Sequence, residues 1–171
     1  MTIPYRGTTG DGTYFVTAST FKKKAVLQSE RMASLFIEML LEYRDQNKFK
    51  IHEFSVMPDH FHLLITPIVT LERAVQFIKG GFSFRAARLF EIRDGIWQSS
   101  FYDRCVRDAA EFERFRKYIH WNPVKRRLAT TPEEYPYGSA AGNFKLDLAP
   151  RRLKPPSDGC LECSAEALLH P

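Results

Sequence analysis

Four side chains in this sequence have types and spacings that can do chemistry: His60, His62, Tyr118 and Asn122. His60 and His62 stand one residue apart in the largely apolar run SVMPDHFHLLITP, residues 55–67. Alternate side chains of an extended strand point to opposite faces, so both imidazoles project side by side from one face, a bidentate arrangement. Tyr118 and Asn122 lie four apart in RKYIHWNPV, which sets a phenol and an amide oxygen one turn apart on one helical face. If that face packs toward the histidine strand, two imidazoles and one oxygen leave open positions on a divalent ion, which can hold and polarise a phosphoryl oxygen. The phenol beside it becomes a nucleophile. Its unperturbed pKa of about 10 means that it needs help from positive charge or a base, which a metal and nearby Arg and Lys can supply.

Each residue has a plainer reading. A His-x-His pair is commonly a pair of hydrogen-bonded sheet residues, Tyr118 an ordinary residue of an amphipathic helix, and Asn122 a polar group at a helix end before Pro123. It is the four together that favour the metal-and-phenol reading. His120 is two helix positions from Tyr118 and faces elsewhere, as a structural or DNA-adjacent residue; His52 reads as a sheet residue. Trp97 and Trp121 could stack bases, with core packing expected for at least one of them.

The elements that position these residues follow from periodicity. TYFVTAST has the β-branched and aromatic content of a strand. After Ser29, the residues Met32, Leu35, Phe36, Met39, Leu40 and Tyr43 recur at helical spacing. FKIHEFSVM and FHLLITP are strand-like runs parted by Pro58 and Asp59, a hairpin that carries the histidines near the start of its second strand. A helix is predicted from Leu71, with a bend or interruption at Gly80 and Gly81. SFYDRCVRD supplies a fourth strand, and AAEFERFRKYIHWNP a helix that stops at Pro123. Strand, helix, strand, strand, helix, strand, helix is an α+β, ferredoxin-like (split βαβ) plan, an antiparallel sheet with helices packed on it.

The 171 residues fit one domain able to bury a core unaided, and 44% apolar content makes it globular. A net charge of +5 fits a polyanionic partner without deciding one. The distribution says more: Arg114, Arg116, Lys117, Lys125, Arg126 and Arg127 fall in one stretch without an acidic residue, as a phosphate-binding surface would. Three cysteines argue against a secreted disulfide scaffold, and neither a membrane span nor a signal peptide is evident, so a cytoplasmic location is expected. From about Thr130 the chain turns Pro-rich and irregular. Residues 1–142 are expected to form the catalytic domain and 143–171 a basic, Pro-rich, partly disordered tail, in which Cys160 and Cys163 are read as an adventitious pair without the second ligand pair of a zinc site.

MPDHFHLLI, followed by WQ and then YIHWNPV, resembles the REP-associated tyrosine transposases, single-tyrosine members of the HUH endonuclease superfamily. The similarity runs from about Tyr14 to Ser139 and includes GIWQSSFYDRCVRD and EEYPYGSA. The chain departs from the usual family pattern in KRRLA after NPV and in YPYGSA, at no proposed nucleophile or ligand.

The resemblance implies that His60, His62 and Asn122 hold Mg²⁺ or Mn²⁺ and that Tyr118 attacks a phosphodiester of single-stranded or hairpin DNA, giving a 5′-phosphotyrosine and a free 3′-hydroxyl. Family relatives act as monomers or as homodimers. Lys79, Arg85 and Arg88 in the second helix, with Lys125, Arg126 and Arg127 beside the tyrosine, are the candidate phosphate contacts. Two other functions compete: a non-catalytic ferredoxin-like nucleic-acid-binding module, which needs none of the four residues together, and a metal-dependent hydrolase in which bound water attacks.

Overall fold

The computed structural model describes residues 12–92, 95–150 and 153. In chain order its elements are β1 (Tyr14–Ser19), α1 (Glu30–Asp45), β2 (Phe49–Met57), β3 (His60–Pro67), α2 (Leu71–Phe90), β4 (Tyr102–Cys105) and α3 (Ala109–Lys125), the succession expected from periodicity. The strands pair antiparallel throughout in the order β2-β3-β1-β4. This is the α+β, ferredoxin-like arrangement.

Strand alternation divides the apolar residues between two faces. Val16, Ala18, Phe61, Leu63 and Ile65 join Met32, Phe36 and Leu40 of α1 and Ile78 and Phe82 of α2 in the main core. Phe15 and Leu64, on the opposite face, meet Phe112, Phe115 and Ile119 of α3. The sheet thus separates α1 and α2 from α3. Each helix starts at a polar cap: Ser29, Thr70 and Asp108 accept hydrogen bonds from the amides of Met32, Arg73 and Glu111.

A register change in β2 matters for the site. Ile51 pairs with Ile65 but Glu53 pairs with Leu64, leaving His52 as the extra residue of a β-bulge. Strict alternation from Phe49 and Ile51 would drive Glu53 and Ser55 into the apolar core and turn Phe54 and Val56 out of it. The bulge reverses that parity. Phe54 and Val56 are fully buried in the main core, and the Glu53 carboxylate reaches α3.

Two helices differ from expectation. α2 is continuous through Gly80 and Gly81; a Cβ at Gly81 would stand 2.5 Å from Tyr43 Oη, so this glycine is a notch for α1 and not a hinge. α3 passes Pro123 and ends at Lys125 instead of stopping at the proline. Proline loses its own N–H and crowds the turn before it but leaves the later bonds intact, and the last turn is closed by Arg126 N–H on the Asn122 carbonyl at 3.0 Å and Leu128 N–H on the Pro123 carbonyl at 2.9 Å.

Beyond α3 the backbone is largely irregular yet runs along the outer edge of β2. Val56 N–H donates to the Tyr137 carbonyl at 2.9 Å, Tyr135 Oη to the Val56 carbonyl at 2.7 Å, and Asp147 N–H to the Ile51 carbonyl at 2.9 Å. Phe144 packs edge-on against Phe54, centroids 5.0 Å apart. This strap engages backbone groups that an edge strand leaves open. Phe144 and Asp147 fall past the boundary at 142/143 drawn from composition; Cys160 and Cys163 lie outside the described residues. Among the described residues no helix is long and apolar enough to cross a membrane.

Candidate active site

β3 starts where the turn of Pro58 and Asp59 ends, and this turn is docked: the Asp59 carbonyl accepts from Thr20 N–H and the Pro58 carbonyl from Leu27 N–H, each at 2.9 Å. The pleat then sends His60, His62 and Leu64 to the side of the sheet covered by α3. Both imidazoles are buried, and their Nε2 atoms stand 3.1 Å apart. The outer nitrogens are held from behind, His60 Nδ1 by Asp59 Oδ1 at 2.6 Å and His62 Nδ1 by Thr17 Oγ1 at 2.7 Å. With its Nδ1–H given to a carboxylate, His60 presents an Nε2 lone pair. The two rings are therefore set to share a proton or hold a cation.

Burial drives the His62 pKa well below its ordinary value, assisted by its neighbour His60 and by the positive charges of Arg126 and Lys23. The ring is neutral, as a metal ligand must be. The hydrogen bond from His60 is the main cause that holds the Asp59 carboxyl below its usual range, against the effect of burial.

α3 supplies the other two groups. Phe112, Phe115 and Ile119 seat it on the sheet, and this brings the Tyr118 ring edge-on to His62 with centroids 5.2 Å apart. Asn122, one turn on, is buried, and its Oδ1 has no hydrogen-bond partner among the described residues. Such an oxygen costs roughly 1–3 kcal/mol when left unsatisfied, so a cation at this position would remove a penalty. Two imidazole nitrogens and an amide oxygen are a mixed donor set that a divalent cation accepts, with positions left for oxygens from substrate or water. Among the described residues no group of three or more His, Cys, Asp or Glu side chains is placed to hold a metal. Burial raises the Tyr118 pKa, and the Arg126 charge and an Asn122 hydrogen bond only partly oppose it.

The six cations singled out in the sequence separate into two groups. Lys125 Nζ lies 5.6 Å over the Tyr118 ring, Arg126 acts electrostatically on Tyr118, His62 and Asp59, and Arg127 is exposed just beyond α3. The three on α2 are across the sheet from Tyr118. There Lys79 Nζ donates to the Gln98 carbonyl at 2.5 Å, Arg85 pairs with Glu42 at 2.7 Å, and Arg88 lies over Phe84. Trp97 packs among Phe36, Phe61 and Phe82 as a core residue, whereas Trp121 is exposed.

Several supporting residues escaped the sequence reading. Asp59 was legible as the neighbour of His60, but Thr17 reaches His62 only through the β1–β3 register. Glu53 binds α3 on both sides of Tyr118: Arg116 Nε at 3.0 Å and His120 Nε2 at 2.7 Å, with Ser139 Oγ donating to the same carboxylate at 2.6 Å. Burial pushes the Glu53 pKa up, but the His120 and Ser139 hydrogen bonds and the charges of His120 and Arg116 outweigh it, so the group is held as a carboxylate. His120 is thus a structural partner and His52 a bulge residue bound to Thr66 Oγ1 at 2.8 Å.

The fold and site together are a ferredoxin-like sheet that faces a histidine pair toward a helix-borne tyrosine, and comparison with known proteins supplies the family. The family model described as "Transposase IS200 like" matches residues 10–122, and the chain belongs to this family. It is 26% identical over 164 residues to a Haemophilus influenzae protein assigned to the REP-associated tyrosine transposases, covering 85% of this chain and 89% of that one. A REP-associated tyrosine transposase of Escherichia coli K12 is 23% identical over 152 residues, 81% of this chain and 85% of that one. The fold is shared with a solved REP-associated tyrosine transposase bound to a REP hairpin: TM-score 0.68, 21% identity, 96% of this chain and 100% of that one.

Proposed function

We propose that this transposase nicks and rejoins single-stranded DNA next to REP-like hairpins, with Tyr118 as the nucleophile and a 5′-phosphotyrosine as the intermediate. The observation that carries the reading is the contact of the Tyr118 ring with His62, beside an Asn122 oxygen that is buried without a partner. His60, His62 and Asn122 would hold Mg²⁺ or Mn²⁺. When bound, the ion neutralises and polarises the scissile phosphate. Tyr118 Oη forms a bond to phosphorus as the bond from phosphorus to the 3′-oxygen breaks; the phenolic proton is lost and the departing 3′-oxygen gains one. Reversal by another 3′-hydroxyl rejoins strands without ATP.

The Arg126 charge favours the phenolate, which burial of Tyr118 opposes. A water-attacking hydrolase would leave the phenol unreacted, and a binding module would need no phenol at all. The likeness to a hairpin-bound relative supports hairpin DNA as the substrate class, and such a reaction belongs in the cytoplasm. Incubation of the protein with a single-stranded REP-like hairpin and Mg²⁺ or Mn²⁺, resolved on a denaturing gel, tests the reading. A metal-dependent covalent adduct that Tyr118→Phe and the His60→Ala, His62→Ala double variant both lack is expected. Cleavage without adduct would favour the hydrolase; tight binding without cleavage would favour the module.

A further inference from the structure

On the side of α3 that leads away from the histidines, Tyr118 forms part of the wall of an open groove with a volume of about 560 Å³. That lies within the roughly 300–1,000 Å³ that ligand-sized sites occupy. Its other described lining residues, all on the same side of α3, include Arg114, Lys117, Trp121 and Lys125, with Glu113 as the acidic member. Glu113 already faces Arg116, at 3.4 Å, so the groove remains strongly positive. Arg114 gives one guanidinium nitrogen to Glu111 at 3.1 Å, and its Nε is buried with no acceptor among the described residues. Glu111 cannot neutralise this end alone, because the same carboxylate also binds Arg104 at 3.0 Å and Arg107 at 3.1 Å.

The groove also carries an exposed indole. Trp121 is 49% exposed on the surface of α3, and it is one turn from both Lys117 and Lys125, which are about 12 Å apart at the rise of an α-helix. A flat indole between two cations suits an unpaired base whose flanking phosphates lie at the two ends. Resting on the assignment of Tyr118 as nucleophile, we infer that this groove is a subsite for one unpaired nucleotide adjoining the scissile phosphate, its base stacked on Trp121 and its phosphates paired with Lys117, Lys125 and Arg114. Stacking accepts any base, so the subsite adds affinity and fixes the strand at Tyr118 without reading sequence.

The chain contains two tryptophans; Trp97 packs against core rings and gives its Nε1–H to the Lys79 carbonyl, so an emission change on DNA binding that Trp121→Phe abolishes reports on Trp121. A REP-like hairpin with a single-stranded extension is titrated into the wild-type protein, Trp121→Phe and Trp121→Ala. Abasic sites are placed one at a time along the extension, and the cut position is mapped separately from the adduct. The expected result is quenching that one abasic site removes, the one beside the mapped cut. Trp121→Ala should bind about 5- to 100-fold more weakly, with binding largely retained by Trp121→Phe. Unchanged emission, an abasic-sensitive position remote from the cut, or wild-type binding by Trp121→Ala would overturn the inference. Adduct formation with a silent Trp121 would remove the subsite and leave the nucleophile; base-dependent quenching without an adduct at Tyr118 would uphold base stacking in the groove and remove the nucleophile.

Discussion

His60 and His62 depend on groups that touch only their outer nitrogens. Asp59 and Thr17 fix the rings so that both Nε2 atoms converge. Asp59→Asn keeps the shape but weakens the acceptor that selects the His60 tautomer. Mn²⁺ titration followed by electron paramagnetic resonance should therefore reveal affinity lowered by about 10- to 100-fold; unaltered affinity would mean that Asp59 only shapes the turn. His52 makes a separate prediction about pH. Burial lowers its pKa from 6.5, although the Asp147 backbone bond and charge pull the other way. The unfolded chain then binds the proton first as pH falls below 6.5, so stability present above that value is lost on acidification toward the folded pKa. His62 shifts in the same direction in the metal-free protein. Urea midpoints should be lower at pH 5.5 than at pH 7.5, and His52→Gln should narrow the difference.

The sheet and α3 form the functional pair of elements. Glu53 ties Arg116 and His120, which flank Tyr118, to β2, and this fixes the roll of the helix over the histidines. Glu53→Gln should slow adduct formation by about 10- to 100-fold, because small misplacements of a reacting group are costly, with hairpin affinity close to that of wild type. A variant that loses thermal stability but forms adduct at the normal rate would limit Glu53 to a structural role. The origin of this contact explains what sequence reading missed. Apolar periodicity in FHLLITP and in the α1 residues made the strands and helices legible, and His60 with His62 and Tyr118 with Asn122 followed from alternation and helical spacing. The bulge at His52 leaves no such mark, since it exists only through pairing with β3. Gly81 likewise looked like a breaker until its partner Tyr43 was known.

Across the whole molecule, charge is sorted by the sheet. Both sets of cations looked alike in the sequence, because neither periodicity nor composition tells which face of the sheet a helix covers. Lys125 and Arg126 stand by Tyr118 while Lys79 and Arg85 are engaged on the opposite side. Replacing Lys125 or Arg126 by Ala should reduce the slope of log affinity against log salt by roughly 1 each. Replacing Arg85 should leave it unchanged; the reverse pattern would put DNA on the α2 face. The strap from Tyr135 to Asp147 was equally hidden, since its irregular backbone gains order from the edge of β2 and not from local pattern.

The most direct test of Tyr118 as the nucleophile is proteolysis and mass spectrometry of the covalent DNA adduct formed with a REP-like hairpin. Of the seven tyrosines in the chain, only Tyr118 should carry the 5′-phosphate; attachment at another residue, or release of cut DNA with all seven unmodified, would contradict the account.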